Sequence, residues 1–426
     1  MPVISSEIKT YNYDDGEIQR VQFVTCSDWN SLDFIYPKIS KEAIEHVAGL
    51  FRDFFIPSAP YYFGELVIFH IPDEWDFPFT QDGITDRHII AKNVFSKRFA
   101  GKAVREYMKK LEDNGYLYRV KGNNPFMHVY MPYESIGFLS ESAKDAKLRV
   151  NANFFTFDNL DDDSPYDIFG TPLGLLVKDG KILSPPLFER EALLAGKDGK
   201  VLIKKIGLKD LKLSVPGTVY ERPEYRKTPL QEGFDAAIVG KRVVFVKRGG
   251  GLVIPSSGFA LHCDEECLKP GDTVEYTGLE DIAFGIQCGN SIVVDGRVTD
   301  HFISKFYHWL RPGEVAYPPG RYPHDFDKDR APRIALGADS SGRPVVIWAE
   351  GASKIKHEIG KDSCGASLRE MGEILNREGI VNAVNLDGGG SAQILLDGKR
   401  SLQISDRRLF DNEESERPIP LGIFVL

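Results

Sequence analysis

The chain has 426 residues, too many for one ordinary hydrophobic core, so two domains are expected. A formal net charge of −9 and a pI near 5.6 argue against a general nucleic-acid or anionic-membrane binder. No stretch approaches the ~20 apolar residues of a membrane span. Residues 1–10 have neither a basic region nor an apolar core, so no signal peptide is expected. The five cysteines, Cys26, Cys263, Cys267, Cys288 and Cys364, are an odd number without a framework spacing, which fits reduced thiols and a cytoplasmic location. Zinc at Cys263 and Cys267 would need partners beyond His262, the sole nearby candidate, and neither a metal nor a cofactor is expected.

Apolar spacing predicts helices over 43–55 and 101–111 and a strand over 65–71. The second helix ends in the cap Asn114-Gly115. Strands over 118–120 and 126–131, separated by Gly122-Asn123-Asn124, then read as a hairpin, so residues 1–137 form a small α+β accessory domain with a winged-helix-like outline. Lys97, Arg98, Lys102, Arg105, Lys109, Lys110, Arg119 and Lys121 cluster there. They raise nucleic-acid or partner docking, but a solvated helix face accounts for them more simply because no recognition motif accompanies them.

Beyond residue 138 the chain is rich in short β-branched runs bounded by glycines: 174–177, 201–206, 236–238, 243–246, 273–276, 291–294 and 345–348. The long helix of this half is 367–377, with Gly379 as its C-terminal cap before a strand at 381–386. The expected class is α+β, with a large mixed or mainly antiparallel sheet and few helices over 138–426. Asp161-Asp162-Asp163 reads as a solvated loop, since EF-hand spacing is missing.

The most informative string is Val381-Asn382-Ala383-Val384-Asn385-Leu386-Asp387-Gly388-Gly389-Gly390-Ser391-Ala392. A buried strand delivers Asn385 and Asp387 to its C-terminal end, and three glycines follow. Glycine allows close backbone approach, and successive N–H groups in such a turn make an anion-binding nest. A tight turn with an Asp cap is the plainer alternative.

Asn385 to Ser391 resembles the signature of the phosphodiester glycosidase family. Other stretches resemble further elements of that family, in its order: Val150-Asn151-Ala152-Asn153-Phe154-Phe155, Phe169 to Gly174 with Lys178 to Lys181, Ala331 to Gly337, Ile347 to Gly351, Leu368 to Glu373, and Glu416-Arg417-Pro418 with Leu421 to Val425. The resemblance covers roughly 138–426 and is absent before it, so 138–426 is expected to carry the activity alone. It implies a hydrolase that cleaves a sugar from a glycosyl phosphodiester, leaving a phosphate monoester. The implied partner is a glycosyl phosphodiester small molecule or glycan. Two alternatives remain: a non-catalytic binder of phosphoglycan or nucleic acid on the same fold, or a hydrolase of another phosphodiester. Familiar family members are secreted, lumenal or envelope proteins, a departure from the cytoplasmic expectation.

A phosphate monoester leaves as a stable anion, so strong general-acid help is less necessary than in ordinary glycosidases. The needs are a phosphate anchor, a carboxylate near the cationic carbon, and an activated water. Arg333 is the expected anchor through bidentate hydrogen bonds. Asp387 is the leading carboxylate, with Glu350 and Glu370 competing for the second. Asn151 and Asn153, beside Phe154-Phe155, suit sugar hydroxyls against an aromatic wall; where the family has two glycines this chain has Ala152 and Asn153. Asn385, Gly388, Gly389, Gly390 and Ser391 complete the binding set. His324 and His357 read as surface residues. Asn151, Arg333, Asn385, Asp387 and Ser391 are expected to line one pocket.

Overall fold

The computed structural model describes residues 4–50, 52, 64–121, 128–132, 136–156, 164–166, 168–222, 224–299, 329–351, 357–407 and 413–426. It is sheet-rich with few helices, as the class reading anticipates, but the strands divide into several sheets where one large sheet was expected. The largest has seven strands in the order Ile4–Asn12, Ile18–Cys26, Pro344–Ala349, Arg333–Asp339, Ile380–Asn385, Ser291–Val294 and Arg297–Val298. Every neighbouring pair in it is antiparallel.

The two central strands explain why this sheet is buried on both faces. Pro344–Ala349 is buried at every position and Arg333–Asp339 at all but the last. Such continuous apolar runs suit strands covered on both sides. Ile334, Leu336, Val346, Trp348 and Val384 enter the main core on one face. Ala335, Ile347, Ala349 and Ala383 meet Leu368, Met371 and Leu375 of the Leu368–Arg377 helix on the other.

Strand Leu148–Asn151 lies between Ile394–Leu396 and Gly422–Val425, and Leu32–Ile35 completes that four-stranded sheet. Ile18–Cys26 and Leu32–Ile35 therefore pair with strands of the C-terminal part, Pro344–Ala349 and Gly422–Val425, across the boundary expected at 137. The strands predicted as a hairpin do not pair with each other. Leu117–Lys121 and His128–Pro132 flank Glu65–Phe69 on opposite sides, the first antiparallel and the second parallel. Fully buried Val67, Ile68 and Phe69 make Glu65–Phe69 the apolar centre that both neighbours cover.

The expectation of five reduced thiols is corrected as well: Cys263 and Cys267 form a disulfide, while Cys26, Cys288 and Cys364 are free. Four residues of separation put the exposed Cys267 within reach of Cys263 at the end of strand Gly258–Cys263.

Candidate active site around Asp387

The helix Leu368–Arg377 begins with a capping box, Ser367 accepting from the Glu370 N–H while Glu370 accepts from Ser367. Gly379, at φ +77°, turns the chain into strand Ile380–Asn385. That strand pairs Asn385 with Ala335, and Leu386 N–H donates to Ile334 O at 2.8 Å. Asp387 thus emerges at the sheet's end, where its own N–H donates to Ala152 O at 2.8 Å. Asn151 straddles the turn that follows. Its Nδ2 donates to Asp387 O at 2.6 Å, and its Oδ1 accepts from Gln393 N–H at 3.0 Å. One buried amide therefore clamps both ends of the glycine run.

The glycine turn is closed rather than open. Gly388 N–H hydrogen-bonds the Asp387 carboxyl group. Gly389 N–H donates to Pro332 O at 2.9 Å, and Ser391 N–H to Gly388 O at 3.2 Å, within a short 3-10 turn. These N–H groups are engaged inside the protein, so they are not aimed at a ligand as a nest would be. Glycine is still required for space. A Cβ at 388 would press on Pro332 O at 2.6 Å, and one at 390 would overlap Arg417 and Asp406.

Burial pushes the Asp387 carboxyl up to about 7, against the Ser391 hydroxyl, the Arg417 charge and the Gly388 N–H, which all favour its ionised form. Asp406 adds a smaller upward push. Arg417 is fixed by Asp406, Nε to Oδ2 at 2.8 Å and Nη2 to Oδ1 at 3.1 Å. Behind Asp387 lies Cys288, whose Sγ accepts from Phe154 N–H at 3.3 Å. Burial drives that thiol far up, and the Asp387 charge adds to it.

The remaining expected residues divide. Asn153 is buried, with Nδ2 donating to Leu173 O at 2.7 Å and Gln287 O at 2.8 Å, and its Oδ1 has no hydrogen-bond partner. Asn385 is buried too, its backbone tied to Asn290 O and Gly289 N–H, and its Oδ1 likewise lacks a partner. Arg333 is buried, with Nε donating to Ala366 O at 2.9 Å and Nη2 to Asp329 O at 2.8 Å, so much of its fork secures the backbone. Glu350 accepts from Arg20 Nε at 2.6 Å and Gln403 N–H at 2.8 Å. Glu370 is committed to its helix cap and to Arg330. Neither glutamate is held in the Asp387 cluster. His357 pairs with Glu17, while His324 and Asp161 to Asp163 lie outside the described residues. Among the described residues, no group of three or more His, Cys, Asp or Glu side chains is placed to hold a metal ion.

The phosphodiester glycosidase family model matches residues 144–426. The chain belongs to that family. It is 38% identical over 226 residues to the Bos taurus N-acetylglucosamine-1-phosphodiester alpha-N-acetylglucosaminidase, covering 45% of this chain and 41% of the relative. The Homo sapiens enzyme of the same name is 39% identical over 74 residues, 17% of this chain and 13% of that one. A SPbeta prophage-derived uncharacterized protein of Bacillus subtilis (strain 168), YomE, is 39% identical over 75 residues, 18% and 11% of the two chains. The chain thus spans less than half the length of these curated relatives. Among solved structures, the catalytic domain of the zebrafish enzyme, auto-inhibited by its pro-peptide, aligns at TM-score 0.43 and 12% identity over 100% of this chain and 83% of that one. A hypothetical protein from Synechocystis aligns at 0.45 and 16%, over 99% and 62%.

In this phosphodiester glycosidase module, two members of the Asp387 cluster escaped sequence reasoning. Arg417 stood in the motif Glu416-Arg417-Pro418 but was read only as an approach to the closing strand. Asp406, in the irregular stretch after Leu402, carried no signal at all.

Proposed function

We propose that the protein is a hydrolase that cleaves a sugar from a glycosyl phosphodiester and releases a phosphate monoester. The observation that carries this reading is the carboxyl group of Asp387, raised to about 7 and held against the Ser391 hydroxyl with the Arg417 cation close by. A general base is most effective when its pKa lies near the working pH. Asp387 takes a proton from water as that water attacks the anomeric carbon. The carbon–oxygen bond to phosphate breaks, its electron pair leaves with the monoester, and the proton stays on Asp387. Arg417 supplies positive charge for the phosphate, and Asp406 sets the plane of its guanidinium. Residues 144–426 form the catalytic module, and the strands in 4–35 complete its sheets.

The test is incubation of the full chain with a panel of glycosyl phosphodiesters varied in sugar and in phosphate-linked group. Free sugar and phosphate monoester are expected in equal amounts from at least one member. Release of neither, or of a phosphorylated sugar in place of free sugar, overturns the reading.

A further inference from the structure

Residues 87–105 contain Arg87, Lys92, Lys97, Arg98, Lys102 and Arg105 and not one Asp or Glu, in a chain of net charge −9. They form helix Arg87–Phe95, a turn, and the start of helix Lys102–Asp113. Ala100 N–H donates to Lys97 O at 3.0 Å to close the turn, and Arg105 reaches back to Ala100 O. The result is a convex tip that presents Phe99 at 89% exposure, with the Arg98 guanidinium 5.8 Å from the ring centre.

The cations behind the tip are matched from within. Lys102 faces Glu106, Lys109 faces Asp113, and Arg119 meets Glu65 and Glu112. Lys110 lies over the Trp75 ring at 4.0 Å. At the tip, by contrast, no ion pair among the described residues uses Lys97 or Arg98. A nucleic acid would be tracked by a groove with a series of aromatic platforms. Here there is one aromatic on a point, and the hairpin that would have made a wing is absent.

We propose that the 96–101 turn is a peripheral docking point for an anionic lipid surface. Phe99 enters the boundary between headgroups and acyl chains, while Lys97 and Arg98 meet the lipid phosphates. An anionic leaflet attracts clustered Lys and Arg, and a wedged aromatic adds apolar burial. The negative remainder of the chain is repelled by the same surface, so the molecule turns this cationic tip towards it. This inference does not depend on the hydrolase reading.

The test is co-sedimentation of the full chain with vesicles of phosphatidylcholine alone and of phosphatidylcholine with phosphatidylglycerol. Binding is expected only to the anionic vesicles and is expected to weaken at high salt. Phe99→Ala should lower the partition coefficient about tenfold, and Arg98→Glu should abolish binding, with unchanged thermal unfolding because both side chains lie at the tip. No binding to the anionic vesicles overturns the proposal. So does undiminished binding by both variants, or tighter binding to a single-stranded oligonucleotide than to the vesicles.

Discussion

Asp406 and Arg417 meet through two parallel contacts, 2.8 and 3.1 Å, in the space that a side chain at Gly390 would need. The fork fixes the guanidinium plane, so its charge sits beside Asp387 without further ordering. The missing side chain at 390 is what admits the pair.

Gly390→Ala is therefore expected to displace Arg417 and Asp406, at about 1–3 kcal/mol of stability and most of the activity. Gly389→Ala is its control. Gly389 has φ +58° with nothing near its Cβ position, so that substitution costs ~1–2 kcal/mol of backbone strain and leaves the pair in place. Unfolding and turnover measured together on both variants check the contrast. Equal loss of activity would mean the pair is not what glycine protects.

Asp387→Asn is expected to lower turnover by about 10²–10³-fold while retaining the fold, since the amide preserves the shape of the carboxyl group. Its effect on stability has a definite sign. A carboxyl raised in the folded state works against folding once ionised, so the wild type loses stability as pH rises from about 4 through 7. The variant lacks that loss. Its melting temperature should match or fall below the wild type at pH 4 and exceed it at pH 8.

The wild-type rate should rise with pH through about 7 as Asp387 ionises. Arg417 favours the ionised form, so Arg417→Gln should move that limb to higher pH and lower its plateau. A pH–rate profile in which only the plateau falls would confine Arg417 to binding.

A fragment of residues 138–426 is expected to be insoluble. It lacks Ile18–Cys26, which pairs with Pro344–Ala349, and Leu32–Ile35, which pairs with Gly422–Val425. Removing the first leaves a fully buried strand as a bare apolar edge, a template for aggregation. Recovery of a soluble, active fragment would show that these strands are dispensable.

Thiol titration of the unfolded chain should find three reactive groups without reductant and five with it. Five without reductant would mean that Cys263 and Cys267 were never joined.

The strand to Asp387 was legible because apolar Val381, Ala383, Val384 and Leu386 announce burial locally and glycines mark its end. Asn151 stood out through its motif, but the motif suggested a sugar contact, whereas its amide clamps the glycine turn. What stayed hidden depends on partners far away in sequence. Glu370 is paired with Arg330, 40 positions upstream, and Glu350 is an ion-pair partner because Arg20 arrives from a strand over three hundred positions upstream. The hairpin at 118–131 misled because local alternation fixes which face a strand buries but not which strand lies beside it. Asp406 acquires meaning only when the chain's last segment brings Arg417 to it.

The pairing of Ile18–Cys26 with Pro344–Ala349 also sets an order of events during synthesis. The first strand leaves the ribosome roughly 330 residues before its partner, and at about 5–20 residues per second that is a wait of tens of seconds. Through that interval the hairpin of Ile4–Asn12 and Ile18–Cys26 carries an open edge and an uncovered apolar face. The nascent chain is thus exposed to mispairing over this hairpin, and a chaperone that shelters residues 4–26 would raise the yield of folded protein more than one acting on the signature strand.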